Sequence, residues 1–143
     1  MIPTAAWSEK IKPMIKRILS FVLFAGTLAL FATGATAGES RPFNAAEFGK
    51  AQADGKTILV DFAASWCPTC KKQGPVITNL LKDEKFKDVV AFKADYDTEK
   101  ELKKQMKVSS QSTLVVFKGA KEAGRAAGIT EPSAIGALLT KGL

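Results

Sequence analysis

The chain has 143 residues, 46% of them apolar, which suits one domain with a packed core and leaves no room for a second full domain. It has no histidine, so His-based catalytic triads and His-containing metal sites are excluded. The formal net charge of +7 does not indicate nucleic-acid binding, because no aromatic residues interleave with the basic ones.

Residues 1–37 have the three parts of a secretory signal peptide. Lys16-Arg17 precede an almost unbroken apolar run from Ile18 to Phe31, and Ala35-Thr36-Ala37 places small residues where a signal peptidase needs them. We therefore predict cleavage after Ala37 and a mature domain of residues 38–143. An uncleaved membrane anchor is the alternative, since continuing the run to Ala37 reaches the ~20 residues that cross a bilayer. Met14 begins a complete signal by itself and is a candidate for the true start.

The rest of the chain alternates helical and strand patterns. After a polar linker at residues 38–42, Asn44 is the predicted cap of a helix over residues 45–53. Thr57 to Ala63 predicts a strand buried on both faces, with Asp61 as the polar exception. The later predicted elements are a helix from Cys67 to Leu81, a strand from Val89 to Ala94, a helix from Thr98 to Met106, strands from Thr113 to Lys118 and from Glu122 to Ala127, and a helix from Glu131 to Lys141 capped by Thr130.

This order of elements predicts an α/β fold. Strands that alternate with helices pair in parallel through right-handed crossovers, and the last two strands form an antiparallel hairpin. We therefore expect a central mixed sheet, with parallel strands and a C-terminal hairpin, flanked by helices.

The two cysteines, Cys67 and Cys70, lie between the predicted buried strand and the start of a helix. Unpaired backbone N–H groups and the helix dipole favour negative charge there, so the Cys67 thiol should ionise more readily than a free cysteine. We expect the Cys67 thiolate to be accessible to solvent, where it can attack a disulfide. Cys70, which we expect to be more buried, can then attack the mixed disulfide and release the product.

Two other uses of the cysteine pair have to be weighed. A purely structural disulfide that closes such a short loop would restrain the unfolded chain very little. Zinc is disfavoured because two thiolates cannot complete a four-ligand site without other donors. A two-thiolate Cu(I) site, in a copper-transfer protein, remains the alternative. The strand-to-helix position favours redox chemistry, for which no metal or other cofactor is expected.

The segment VDFAASWCPTCKKQGP, residues 60–75, resembles the active-site segment of the thioredoxin family, and the resemblance extends from about Phe43 to Leu143. It implies a thioredoxin-like fold and a thiol:disulfide oxidoreductase with a redox-active Cys67–Cys70 disulfide. Trp66 resembles the family's tryptophan that covers the redox pair. Pro68 and Thr69, between the cysteines, are active-site neighbours. The remaining matches are Pro75 at the family's helix kink and Gly128 before the last helix.

Asp61 is the third predicted catalytic residue. An acid within an apolar strand is costly to ionise, so its pKa should rise, which suits a group that takes the proton from Cys70. The resemblance places Asp61 as the buried carboxylate beneath the cysteines and Lys93 as its lysine neighbour. An exposed edge position, or a simple charge pair with Lys93, is the other interpretation.

Ser112 is the one clear departure from the family pattern. It occupies the place of a cis proline that faces the cysteines in the family. A cis bond before serine would cost about 3 kcal/mol, so either the loop is trans and reshaped or strain is stored there. Without the proline ring we expect the cysteines to be less shielded, which strengthens the Cu(I) alternative.

The Pro68-Thr69 dipeptide resembles that of exported reducing thioredoxins serving cytochrome c maturation, which favours a reductase. The resemblance implies oxidised exported proteins as substrates and a membrane thiol transporter of the DsbD or CcdA type as electron donor. We expect a periplasmic or otherwise exported monomer.

Overall fold

The structure, a computed structural model, describes residues 39–143. The predicted signal peptide, the candidate start at Met14 and the predicted cleavage site lie outside the described residues. No helix within residues 39–143 is long and apolar enough to cross a membrane. The elements are β1 (Ser40–Pro42), α1 (Ala45–Ala53), β2 (Thr57–Ala63), α2 (Pro68–Leu81), a 3₁₀ helix (Glu84–Phe86), β3 (Val90–Asp95), α3 (Lys100–Gln105), β4 (Thr113–Lys118), β5 (Lys121–Ala127) and α4 (Pro132–Thr140).

The five strands form one mixed sheet in the order β1-β3-β2-β4-β5. Strands β1 and β2 run parallel to β3, whereas β4 is antiparallel to β2 and β5 is antiparallel to β4. The predicted α/β class, with parallel strands and a C-terminal antiparallel hairpin, is therefore confirmed.

Helices cover both faces of the sheet because the central strand is apolar on both sides. Every residue of β2 is buried, as predicted. Leu59 packs with the apolar residues of α2 and α4, and its neighbours Ile58 and Val60 pack with those of α1 and α3. Since successive side chains of a strand point to opposite faces, β2 joins the two halves of the core.

Several predicted boundaries differ from the structure, and three of the differences have a clear physical reason. Ser40–Pro42, predicted as part of a linker, form β1 beside β3, because three residues are too few to show a periodic pattern and the pairing depends on the distant strand. The third helix begins at Lys100, since the Asp95 carboxylate accepts hydrogen bonds from the backbone N–H groups of the preceding turn. The last helix begins with Pro132, whose missing N–H suits a first helical position, and Thr130 does not cap it.

Candidate active site

Cys67 is the N-cap of α2 and not its first residue. Its Sγ accepts a hydrogen bond from the backbone N–H of Cys70 at 3.0 Å, and Pro68, which has no N–H, occupies the first helical position. The Cys70 N–H is one of the donors at a helix start that lack an intrahelical partner. This donor and the helix dipole both favour negative charge on the Cys67 sulfur.

Cys67 and Cys70 form a disulfide that is almost fully covered. Cys67 is 1% exposed and Cys70 7% exposed, so the prediction that Cys67 is accessible and Cys70 more buried is wrong. Ala63, Ala64 and the ring of Tyr96 pack around the two cysteines. These neighbours come from the end of β2 and from the loop after β3, which sequence spacing alone does not place against α2.

Ser112 packs directly against the disulfide. Its Oγ lies 3.3 Å from Cys67 Sγ and 3.5 Å from Cys70 Sγ, and the residue is buried. The expectation that losing the proline ring leaves the sulfurs less shielded is therefore wrong. The peptide bond before Ser112 is trans, and its φ of +58° lies in the left-handed region that serine rarely adopts. Of the two outcomes considered for this loop, the trans, reshaped loop is the one observed, and the strain lies in the φ of Ser112 and not in a cis bond.

Gln73 holds the Ser112 loop and was missed by the sequence analysis. It is fully buried, and its Nε2 donates hydrogen bonds to the carbonyl oxygens of Ser112, at 3.2 Å, and Ile129, at 2.7 Å. The backbone N–H of Gly128 donates a second hydrogen bond to the Ser112 carbonyl, at 3.0 Å. Its spacing in the sequence could have identified it, because Gln73 lies on the same buried face of α2 as Cys70 and Ile77.

Asp61 is buried in β2, where burial raises its pKa to about 6 and the nearby Lys93 ammonium partly offsets the rise. The predicted rise is confirmed. Lys93 is exposed and pairs with Asp61 in the register of β2 and β3. Side chains alternate along a strand, so Asp61 shares a face of β2 with Ala63, which packs against the cysteines. Asp61 Oδ1 has no hydrogen-bond partner among residues 39–143.

Trp66 presents an exposed indole beside the buried disulfide. Its side chain is 56% exposed, and its Nε1 donates a hydrogen bond to Asp97 Oδ2 at 2.9 Å. Asp97, in the loop after β3, is a second residue that the sequence analysis did not identify. The hydrogen bond fixes one edge of the ring and leaves its apolar face open to a partner.

Comparison with known proteins identifies the fold and the chemistry. The family model for thioredoxin matches residues 39–141. The chain belongs to the thioredoxin family. It is 38% identical over 93 residues to thioredoxin-2 of Saccharomyces cerevisiae, which covers 64% of this chain and 86% of that protein. It is also 38% identical over 82 residues to an H-type thioredoxin of Fagopyrum esculentum, with 57% of this chain and 69% of that relative covered.

A solved structure agrees. The crystal structure of Trxlp from Edwardsiella tarda EIB202 matches with a TM-score of 0.68 and 40% sequence identity, over 71% of this chain and 98% of that one. The thioredoxin-like fold expected from the active-site segment is therefore confirmed. Family membership also makes the protein a thiol:disulfide oxidoreductase that acts on protein thiols and disulfides.

Proposed function

We propose that this chain is an exported reductase of protein disulfides whose reactive centre is the segment from Trp66 to Cys70. The observation that carries the proposal is the Cys67–Cys70 disulfide at the start of α2, with Cys67 Sγ accepting the Cys70 N–H. Backbone donors and the helix dipole would stabilise a thiolate at Cys67 and not at Cys70, which lies inside the helix. Both cysteines are buried, so exposure does not distinguish them. We identify Cys67 as the attacking thiol because it lies at the start of α2.

In the first step, the Cys67 thiolate attacks one sulfur of a substrate disulfide. A Cys67–substrate S–S bond forms as the substrate S–S bond breaks, and the departing substrate thiolate takes a proton from solvent. In the second step, Cys70 gives its proton to Asp61 and attacks Cys67 Sγ. The second substrate thiolate leaves and takes the proton that Asp61 holds. The substrate gains two electrons, and Cys67 and Cys70 are left as the disulfide.

Asp61 suits the proton transfer because of its raised pKa. Because its pKa is about 6, the Asp61 carboxylate is mostly ionised at neutral pH and can accept a proton. The pKa is also close to the working pH, so the protonated carboxyl gives the proton up again readily. An ordinary surface carboxylate would hold the proton too weakly to act as a carrier. The unpartnered Asp61 Oδ1 leaves one oxygen available for that proton.

Export and the direction of electron flow are supported by sequence. The apolar run from Ile18 to Phe31 and the small residues from Ala35 to Ala37 favour secretion to the periplasm, and retention of the run would anchor the protein in the membrane. An exported dithiol needs an electron supply to stay reduced, which a membrane thiol transporter of the DsbD or CcdA type would provide. Cu(I) transfer has no structural observation in its favour and is an outcome of the test below.

Expression of the full chain in a host with a periplasm tests export. N-terminal sequencing of the periplasmic product should give Gly38 as the first residue, and the intact apolar segment in the membrane fraction would contradict cleavage.

The purified protein should reduce insulin with dithiothreitol as electron source, and the Cys67→Ser variant should be no faster than dithiothreitol alone. In glutathione buffers, a reductase should remain mainly as the disulfide. A mainly reduced protein would reverse the proposed direction, and stoichiometric copper without insulin reduction would support copper transfer.

A further inference from the structure

The hydroxyl of Ser112 occupies an unusual place for a polar group, within reach of both redox sulfurs. The Oγ lies 3.3 Å from Cys67 Sγ and 3.5 Å from Cys70 Sγ, and the residue is only 4% exposed. Neither sulfur of a disulfide carries a hydrogen atom, so the hydroxyl is the donor in these contacts. Because the site is shielded from water, a donor aimed at a sulfur there acts more strongly than it would at the surface.

The backbone of the loop keeps the hydroxyl in this place. The Ser112 carbonyl accepts hydrogen bonds from Gln73 Nε2 and from the Gly128 N–H, which anchor it to α2 and to the loop after β5. Ser112 itself has a φ of +58°, a conformation that costs serine energy and that persists where the surroundings hold it. Two residues between α3 and β4, Lys107 and Ser112, have a positive φ, and Ser112 is the one whose hydroxyl contacts the redox sulfurs.

Reduction of the disulfide would strengthen the contact. A hydrogen bond from a hydroxyl to an ionised acceptor is shorter and roughly twice as strong as one to a neutral acceptor. In the disulfide, Cys67 Sγ accepts the Cys70 N–H at 3.0 Å, and the shorter of the two hydroxyl contacts, 3.3 Å, is also to Cys67. Two donors would then converge on the Cys67 sulfur.

We propose that the Ser112 hydroxyl is a catalytic hydrogen-bond donor that stabilises the Cys67 thiolate in the reduced protein. The proposal rests on the proposed role of Cys67 as the attacking thiol. In this protein a hydroxyl takes the place of a proline ring, which has no hydrogen-bonding group to offer. By favouring the thiolate, Ser112 also favours the dithiol over the disulfide and makes the protein a weaker reductant than it would be without the hydroxyl.

Other charged and titratable groups around the cysteines could also change the Cys67 thiol. Asp61 lies on the same face of the sheet, Lys93 is beside it on β3, and Tyr96 packs against the cysteine cluster. Lys71 and Lys72 follow Cys70 on α2 and are exposed. A test must leave all five in place, so that only the hydroxyl changes.

The test compares Ser112→Ala with Ser112→Gly. Both variants lack the hydroxyl, but alanine keeps the backbone strain, whereas glycine adopts a φ of +58° without strain. The pH dependence of iodoacetamide alkylation is measured on each reduced protein, and fragment mass spectrometry assigns the alkylated cysteine. We expect the pKa of the Cys67 thiol to rise by about one pH unit in both variants, since a hydrogen bond to a charged group is lost. The equilibrium with glutathione should move up to about tenfold towards the disulfide.

A rise in only one variant, or in neither, would overturn the proposal, because strain or packing would then explain the result. Thermal unfolding confirms that each variant is folded at the pH values used. Failure of this proposal is separable from failure of the proposed function. If the parent does not reduce insulin but both variants shift the Cys67 pKa, the reductase assignment falls and the role of Ser112 stands. If the parent reduces insulin but neither variant changes the pKa of the Cys67 thiol, the reductase assignment stands and the role of Ser112 falls.

Discussion

The two sides of the Cys67–Cys70 disulfide are held in place by different forces. On one side, β2 and the start of α2 are fixed by burial among apolar neighbours, with Asp61 as a buried carboxylate. On the other side, the Ser112 loop is fixed by hydrogen bonds from Gln73 and Gly128. The first side holds the segment that resembles the family's active site, and the second holds Ser112, the one clear departure from that resemblance. In the proposed mechanism, the sheet side supplies the disulfide chemistry and the loop side adjusts it through Ser112.

Replacing Asp61 should give the largest change in stability. Its folded pKa of about 6 exceeds its ordinary value of 3.8, so the folded state binds more protons between these values and stability falls as pH rises through this window. Above it, the buried charge costs about 3 kcal/mol. Asp61→Asn should therefore gain up to about 3 kcal/mol near pH 8 and almost nothing below the unfolded pKa. Urea unfolding at both pH values measures this, and an equal gain at both would show that ionisation is not the cause.

Ser112→Pro should give the largest effect on the loop side. Proline fixes φ near −65°, whereas this position has a φ of +58°, so the loop must rearrange at a cost of about 2 kcal/mol. The matched control is Ser112→Gly, which relieves the left-handed conformation and should gain about 1 kcal/mol. The free energy of unfolding, measured in urea, should be lower than that of the parent for Ser112→Pro and higher for Ser112→Gly. A proline variant as stable as the parent would mean that the loop readily adopts another conformation.

Gln73→Met should destabilise the protein by about 1 kcal/mol, because it leaves the Ile129 carbonyl without its side-chain donor while nearly conserving volume. The Ser112 carbonyl keeps the Gly128 N–H, so the loop should loosen and not unfold. Asn79→Ala, on the exposed face of the same helix, is the control and should cost less than about 0.5 kcal/mol. Equal losses in the two variants would argue against Gln73 as the anchor of the loop.

Trp66→Phe should have the smallest effect on stability, within about 0.5 kcal/mol, since the indole is exposed and loses one hydrogen bond to Asp97. If the ring is a docking surface for substrate, the KM for insulin should rise while the thiol pKa of Cys67 stays the same. Steady-state kinetics with alkylation measurements separate these quantities. A changed thiol pKa with unchanged KM would make Trp66 part of the cysteine environment instead.

Much of the fold could be predicted because its signals are local. The apolar stretch of β2, the Asn44 cap of α1 and the two-residue spacing of the cysteines are each contained in a few consecutive residues. The sheet side of the site followed from these signals, including the raised pKa of Asp61.

The loop side could not be predicted in the same way. The backbone of Ser112 is set by Gln73, 39 residues away in sequence, and by Gly128, so no local pattern reports it. The burial of Cys67 depends on Tyr96 and Ser112, which the chain brings back from later elements. Strand β1 was missed for the same reason, since its partner β3 lies about 50 residues further along the chain.

Trapping of mixed disulfides tests most directly whether Cys67 is the attacking thiol. Reduced Cys70→Ala and Cys67→Ala variants are each incubated with an oxidised protein substrate, and covalent complexes are identified by non-reducing electrophoresis and mass spectrometry. The proposed mechanism predicts that Cys70→Ala accumulates a complex through Cys67, since the residue that would resolve it is missing. It predicts no such complex for Cys67→Ala. Accumulation through Cys70 in the Cys67→Ala variant, with none in Cys70→Ala, would contradict the account.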